Sequence, residues 1–104
     1  MQALGNVPII LCGDFNLIVD ESAAFAAAFA LGWRDAARLQ GAQDGQAPAN
    51  TCFTMQKNKR GKAYQTASRI DYVLLNPAAA QAFESLEVFP LQGFCTHRAL
   101  ALTL

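Results

Sequence analysis

The chain has 104 residues, 53% of them hydrophobic and only 15% charged, with eight basic and eight acidic side chains. That length holds one domain at most, and an apolar composition without net charge excludes intrinsic disorder and a uniformly basic nucleic-acid binder.

Val7 to Cys12 is a continuous apolar run ending at Gly13, and its length and β-branched content predict a strand buried on both faces. Asp14 and Asn16 follow at its C-terminal end, where sites collect in sheets covered by helices. Asp20, Glu21 and Ser22 supply acids and a hydroxyl for a helix N-terminus. Ala23 to Leu31 is rich in helix formers, with Phe25 and Phe29 on one face and Gly32 as the expected C-cap. Phe25, Phe29 and Trp33 read as core, and Trp33 to Leu39 as a further helical turn or two. Gln40 to Asn50 has the composition of a loop.

Thr51 to Gln56 is a short strand, and Lys57 to Lys62 a basic turn. Arg69 to Leu75, β-branched and aromatic, is the clearest later strand. Asn76-Pro77 stops it and starts a short Ala-rich helix through Phe83. Leu86 to Leu91 and Ala99 to Leu104 complete the strands. This order predicts an α/β (α+β) fold, a mixed sheet with helices on at least one face.

Cys12, Cys52 and Cys95 are widely spaced, with no CxxC or Cys/His motif, so neither a zinc site nor a disulfide framework is expected. They read as small apolar residues of an intracellular, reducing compartment, cytoplasm or nucleus. The N-terminus lacks the features of a signal peptide. The longest apolar stretch, Ala23 to Trp33, is too short for a membrane span.

Polar residues interrupt or end the apolar strands at Asp14 with Asn16, at Asp71, and at Thr96-His97. Asp71 shares a strand face with Val73 and Leu75, so it points inward and needs a partner. His97, the single histidine, is one candidate; a carboxylate that fixes a histidine tautomer recurs in hydrolytic sites.

Three ordered blocks narrow the reading: Ile-Leu-Cys-Gly-Asp-Phe-Asn at 10–16, Ser-Arg-Ile-Asp-Tyr-Val-Leu at 68–74 and Thr-His-Arg at 96–98, with Thr-Cys-Phe at 51–53. Together they resemble the C-terminal half of the endonuclease/exonuclease/phosphatase superfamily, the deoxyribonuclease-like fold, with the nucleases of non-LTR retrotransposons nearest in style. The resemblance implies half of a two-sheet, four-layer α/β sandwich with helices on the outer face, residues 1–104 forming the C-terminal portion of the domain. It implies that Asp14 orients or deprotonates the attacking water and holds the metal only indirectly or at a second site. Asn16 would hold the scissile phosphate and nucleophile, Asp71 would support His97, and His97 would stabilise charge on the phosphoryl oxygens. Ser68 and Arg69 would fix the strand and its neighbouring loops. Mg²⁺ (or Mn²⁺) is the implied cofactor.

Two departures stand out. The family has an acid immediately before its histidine, where this chain has Thr96, and its metal-binding glutamate lies in an N-terminal half expected to be missing here. Glu21, Glu84 and Glu87 are in the wrong blocks to replace it. Lys57, Lys59, Arg60, Lys62 and Arg69 are five of the eight basic residues with no acid among them. They read either as a solvated hairpin or as phosphate-contacting side chains, with Tyr64 available to stack on a base. The expectation is therefore a metal-dependent phosphodiesterase, a DNA endonuclease first and a phosphoinositide or nucleotide phosphoesterase otherwise, incomplete in this chain. The alternative is an inactive remnant that at most binds phosphoesters. Either way, a lone half would expose a large apolar sheet face.

Overall fold

A computed structural model describes residues 7–16, 18, 21–91 and 96–104. The fold is α+β, in the order β1 (Ile10–Asp14), α1 (Ala23–Ala30), β2 (Arg34–Asp35), α2 (Ala36–Asp44), β3 (Cys52–Lys57), β4 (Ala63–Ser68), β5 (Asp71–Leu75), α3 (Pro77–Gln81), β6 (Ser85–Val88) and β7 (Leu100–Thr103). The strands form three sheets, β1-β5-β2, β3-β4 and β6-β7. Every pairing among these strands is antiparallel, so the parallel part of the expected mixed sheet does not occur among the described residues. No helix among them is long and apolar enough to cross a membrane.

β5 organises the molecule because its side chains are apolar on both faces after Asp71. Tyr72 and Leu74 pack with Phe25 and Trp33, and Phe29 adds to that side. Val73 and Leu75 pack on the other side with Ala36 of α2, Ala79 of α3 and Leu86 of β6. Helices therefore cover both faces rather than one outer face, since alternate residues of β5 each need an apolar partner. Each fully buried large side chain here contributes roughly 1.5–3 kcal/mol. The aromatic cluster is geometrically specific, with Phe25 edge-on to Tyr72 at 5.2 Å and to Phe15 at 5.4 Å between ring centroids.

Caps explain where the helices begin. Ser22 Oγ accepts from Phe25 N–H at 3.3 Å and Asp35 Oδ1 from Ala37 N–H at 3.1 Å. Asn76 Oδ1 accepts from Ala79 N–H at 2.9 Å, with Pro77 in the first helical turn, as expected. Gly32 follows the C-cap Leu31 with φ +95°, and a Cβ there would meet Pro77 Cγ at 3.0 Å. α2 differs from expectation: it starts at Ala36 and runs through Asp44, into residues whose composition reads as loop, and ends on the left-handed Gly45. A cap at each end outweighs the weak helix propensity of Gly41.

Three strands also differ, the first being β2, Arg34–Asp35, which pairs with β5 where the composition reads as helix. β4, Ala63–Ser68, was not expected as a strand; it pairs with β3 over six rungs, from Cys52 opposite Ser68 to Lys57 opposite Ala63. β1 is a strand but is exposed throughout, with Ile10 and Leu11 each 45% accessible, because it lies at the edge of its sheet and little packs on it. Exposed apolar side chains thus occur on this edge strand and elsewhere, at Leu31 and Met55 among others, and not on β5.

Candidate functional site

The C-terminal end of β1 lies beside the N-terminal end of β5, in a register that sets Asp14 directly opposite Asp71. Phe15 N–H extends the ladder to the Ile70 carbonyl at 2.9 Å. Two like charges facing each other across an antiparallel pair repel. His97 lies between them: Nδ1 is 2.8 Å from Asp71 Oδ2, and Nε2 is 3.8 Å from Asp14 Oδ2. One ligand atom from each of Asp14, Asp71 and His97 lies within 4.8 Å of the others.

His97 is held by backbone, not by a strand of its own. Phe53 N–H donates to the Thr96 carbonyl at 2.7 Å, and Arg98 N–H donates to the Thr51 carbonyl at 2.8 Å. Cys52 and His97 thereby form an antiparallel bridge at the start of β3. Asp71 is fixed from its own backbone, because buried Thr51 accepts at Oγ1 from Ile70 N–H at 3.3 Å and Asp71 N–H at 3.2 Å. Asp14 Oδ1 accepts from Asn16 N–H at 2.9 Å, closing a turn in which Asn16 takes a left-handed φ of +52°. Asn16 is exposed beside the Asp14 carboxylate.

The Asp71 carboxylate can only accept, so His97 Nδ1–H donates and Nε2 is left facing Asp14. That hydrogen bond, chiefly, with the negative charge of Asp71 and Asp14, raises the His97 pKa above 6.5, against a smaller opposing effect of burial. Cys52 Sγ stands 3.7 Å from Nε2. Burial first, then Asp71 and Asp14, raise the Cys52 pKa above 9.0, so the group is a thiol at neutral pH. Arg98 faces the same shallow depression as Asp14 and Asp71, with its guanidinium bound to the Phe89 carbonyl at 2.7 Å.

Asp14, Asp71 and His97 are thus brought together, with Asn16 adjoining, whereas the basic residues are not. Lys57, Lys59, Arg60 and Lys62 are exposed around the far turn of the β3–β4 hairpin. Lys57 lies five steps along β3 from Cys52, about 17 Å of strand. Asn58 builds that turn, its Oδ1 accepting from Arg60 and Lys62 N–H at 2.9 Å each, and Gly61 takes φ +78°. Arg69 turns away from the cluster to buried Asp35, at 2.7 Å. Ser68 contributes its carbonyl, which accepts from Thr51 N–H at 2.9 Å. Thr96 is exposed and anchors β3 through its carbonyl. Among the described residues no glutamate joins the cluster. Cys95 lies outside the described residues.

The roles of Thr51 and Cys52 are not readable from sequence beyond their place in the 51–53 block. Asp14 and Asp71 supply hard oxygen donors suited to a divalent cation that keeps most of its waters. Comparison with family models, with curated proteins and with solved structures finds no match.

Proposed function

We propose that this chain carries the phosphate-facing part of a metal-dependent phosphodiesterase site of the endonuclease/exonuclease/phosphatase type, with DNA as substrate. The observation that supports the reading is the convergence of Asp14, Asp71 and His97 from three sequence-distant segments on one exposed spot. In this reading the 3.8 Å between Asp14 Oδ2 and His97 Nε2, too long for a direct hydrogen bond, lets both atoms contact a water that sits to one side of the line between them. Asp14 takes the proton of the attacking water as its oxygen bonds to phosphorus, and the P–O bond opposite breaks in line, the leaving oxygen taking a proton from solvent. His97, oriented by Asp71 and biased toward its cationic form, donates from Nε2 to a non-bridging phosphoryl oxygen, with Asn16 beside it. Mg²⁺ or Mn²⁺ would be held by Asp14 and would neutralise charge on the phosphoryl oxygens. The exposed basic tip of the hairpin would engage the phosphate backbone away from the cleavage point without reading sequence.

The finer architecture, half of a four-layer sandwich, belongs to the same proposal. The exposed edge strand β1, with its accessible Ile10 and Leu11, supports it, because a neighbouring strand would cover that edge. A further carboxylate for the metal would come from the other half of such a sandwich. A second reading, an inactive remnant that binds phosphoesters, is favoured by one observation: Asp71 is engaged with His97, which leaves a cation only the Asp14 carboxylate within the cluster.

Plasmid nicking tests the first reading. With the chain joined to a half that supplies the further carboxylate, Mg²⁺-dependent conversion of supercoiled DNA to nicked circles is expected, lost in Asp14→Asn and reduced by roughly 10²-fold or more in His97→Ala, while the chain alone is expected to be inactive. No nicking by the joined protein at high concentration, with DNA binding retained, favours the remnant. Cleavage of a phosphoinositide or nucleotide phosphoester but not DNA would change the substrate and keep the site.

A further inference from the structure

His97 carries the ring that Asp71 orients, yet it lies in the connection between β6 and β7 rather than in a strand. One side of its backbone is tied to β3, where Phe53 N–H donates to the Thr96 carbonyl and Arg98 N–H to the Thr51 carbonyl. On the other side stands a charged group that the phosphodiesterase reading leaves idle, the Arg98 guanidinium. Its Nε–H donates to the Phe89 carbonyl at 2.7 Å, and Nη2 donates to the Val88 carbonyl at 3.4 Å. Phe89 N–H donates in turn to the Ala99 carbonyl at 2.9 Å. These three bonds join the two ends of the connection, and His97 is the residue next to the join.

The clasp suits arginine. Two successive carbonyls at the end of a strand offer acceptors that a planar, permanently charged fork meets with two different nitrogens. Charged donors make shorter and stronger bonds than neutral ones, in keeping with the 2.7 Å contact. Arg98 and Phe89 are both half-buried, which limits competition from water. Among the described residues Asp14 and Asp71 form ion pairs with His97 and not with Arg98, so Arg98 acts through the backbone it holds. Tied to β3 alone, residues 96–98 could pivot about the Cys52–His97 bridge. Asp71 Oδ2 meets Nδ1 at 2.8 Å, and a hydrogen bond weakens steeply with misalignment, so a small tilt suffices to lose it.

We propose that Arg98 is the positioning residue of His97. By clasping the Val88 and Phe89 carbonyls it sets the backbone angle at which Nδ1–H meets Asp71 and Nε2 faces Asp14. Its consequence for catalysis rests on the phosphodiesterase reading; the positioning itself does not.

The test is the tautomer of His97, read from the ring nitrogen shifts in an NMR correlation to the carbon-bound ring protons. The chain has a single histidine, so these signals belong to His97. At alkaline pH, where the ring is neutral, the wild type is expected to hold the Nδ1–H tautomer, because Asp71 can only accept. Arg98→Met keeps an apolar stem and removes every donor. Its ring is expected to shift to the Nε2–H tautomer that an unconstrained imidazole prefers, whereas a merely stabilising Arg98 would leave the tautomer of the folded chain unchanged. Arg98→Lys, which can offer one donor to Phe89, is expected to restore part of the Nδ1–H form. Retention of the Nδ1–H tautomer in folded Arg98→Met overturns the proposal. A wild-type Arg98 Nε–H that exchanges with water as fast as free arginine also overturns it, and that measurement needs no variant. In the protein joined to its carboxylate-bearing half, Arg98→Met is expected to lower kcat by up to about 10²-fold with KM little changed. If the joined wild type nicks no DNA, the phosphodiesterase reading fails and the tautomer still decides the role of Arg98.

Discussion

Arg69 and Asp71 stand two residues apart, and each belongs to an ion pair of nearly the same length, 2.7 Å to Asp35 and 2.8 Å to His97. Their surroundings differ. The Asp35 side chain is 1% accessible and Arg69 13%, whereas Asp71 is 16% and His97 40%. Asp35 also caps α2 through Ala37 N–H, and Arg69 lies 4.8 Å over the Tyr72 ring, so both members are tied into the core. His97 instead has a thiol and a second carboxylate near its other ring nitrogen. Equal distances thus hide opposite tasks: one pair holds elements together, and the other leaves a reactive edge open to solvent.

The comparison breaks most visibly at Asp35. Asp35→Ala leaves Arg69 largely buried without its partner and removes a helix cap, so urea denaturation is expected to register a loss of about 3–5 kcal/mol. Thr51→Val strips the acceptor from Ile70 and Asp71 N–H, and the same measurement is expected to fall by about 1–3 kcal/mol. The Asp71–His97 pair, being substantially exposed, is expected to contribute no more than about 1 kcal/mol. Its pH dependence has a defined sign. The folded His97 pKa is raised, so the contribution is complete below 6.5 and disappears as pH rises through the higher folded value. The stability gap between wild type and His97→Gln should therefore shrink on going alkaline; a gap that widens would contradict the charge-assisted pair. Smallest of all, Lys59→Ala with Arg60→Ala should shift stability by less than about 0.5 kcal/mol. It should nevertheless lower the slope of log affinity for DNA against log salt by roughly one for each phosphate no longer neutralised.

Parts of this layout are legible from residue order alone and parts are not. The β5 run, the Ser22 cap and the Pro77 start carry local signals, because strand propensity and capping act over a few residues. β4 carries none: Ala-Tyr-Gln-Thr-Ala-Ser lacks apolar alternation and becomes a strand by pairing across a hairpin. The burial of Val7 to Cys12 is misjudged for a related reason, since an apolar run signals a strand but its accessibility depends on what lies alongside. At the site, Asp71 is conspicuous as a charge in an apolar strand, and His97 as its one possible histidine partner. Cys52 beside His97 and Asp35 beside Arg69 are invisible to spacing, because the partners lie 45 and 34 positions apart.

The facing of Asp14 and Asp71 across the last rung has a mechanical consequence. Repulsion there works to part β1 from β5 at one end, while Asn76, whose Oδ1 accepts from Ile9 N–H at 2.9 Å and whose Nδ2 donates to the Val7 carbonyl at 2.8 Å, clasps the other. Amide hydrogens near Asp14 should then exchange with solvent faster than those near Ile10. A cation bound at Asp14 would offset that repulsion, slowing the exchange in proportion to its occupancy and stabilising the strand pair by mass action.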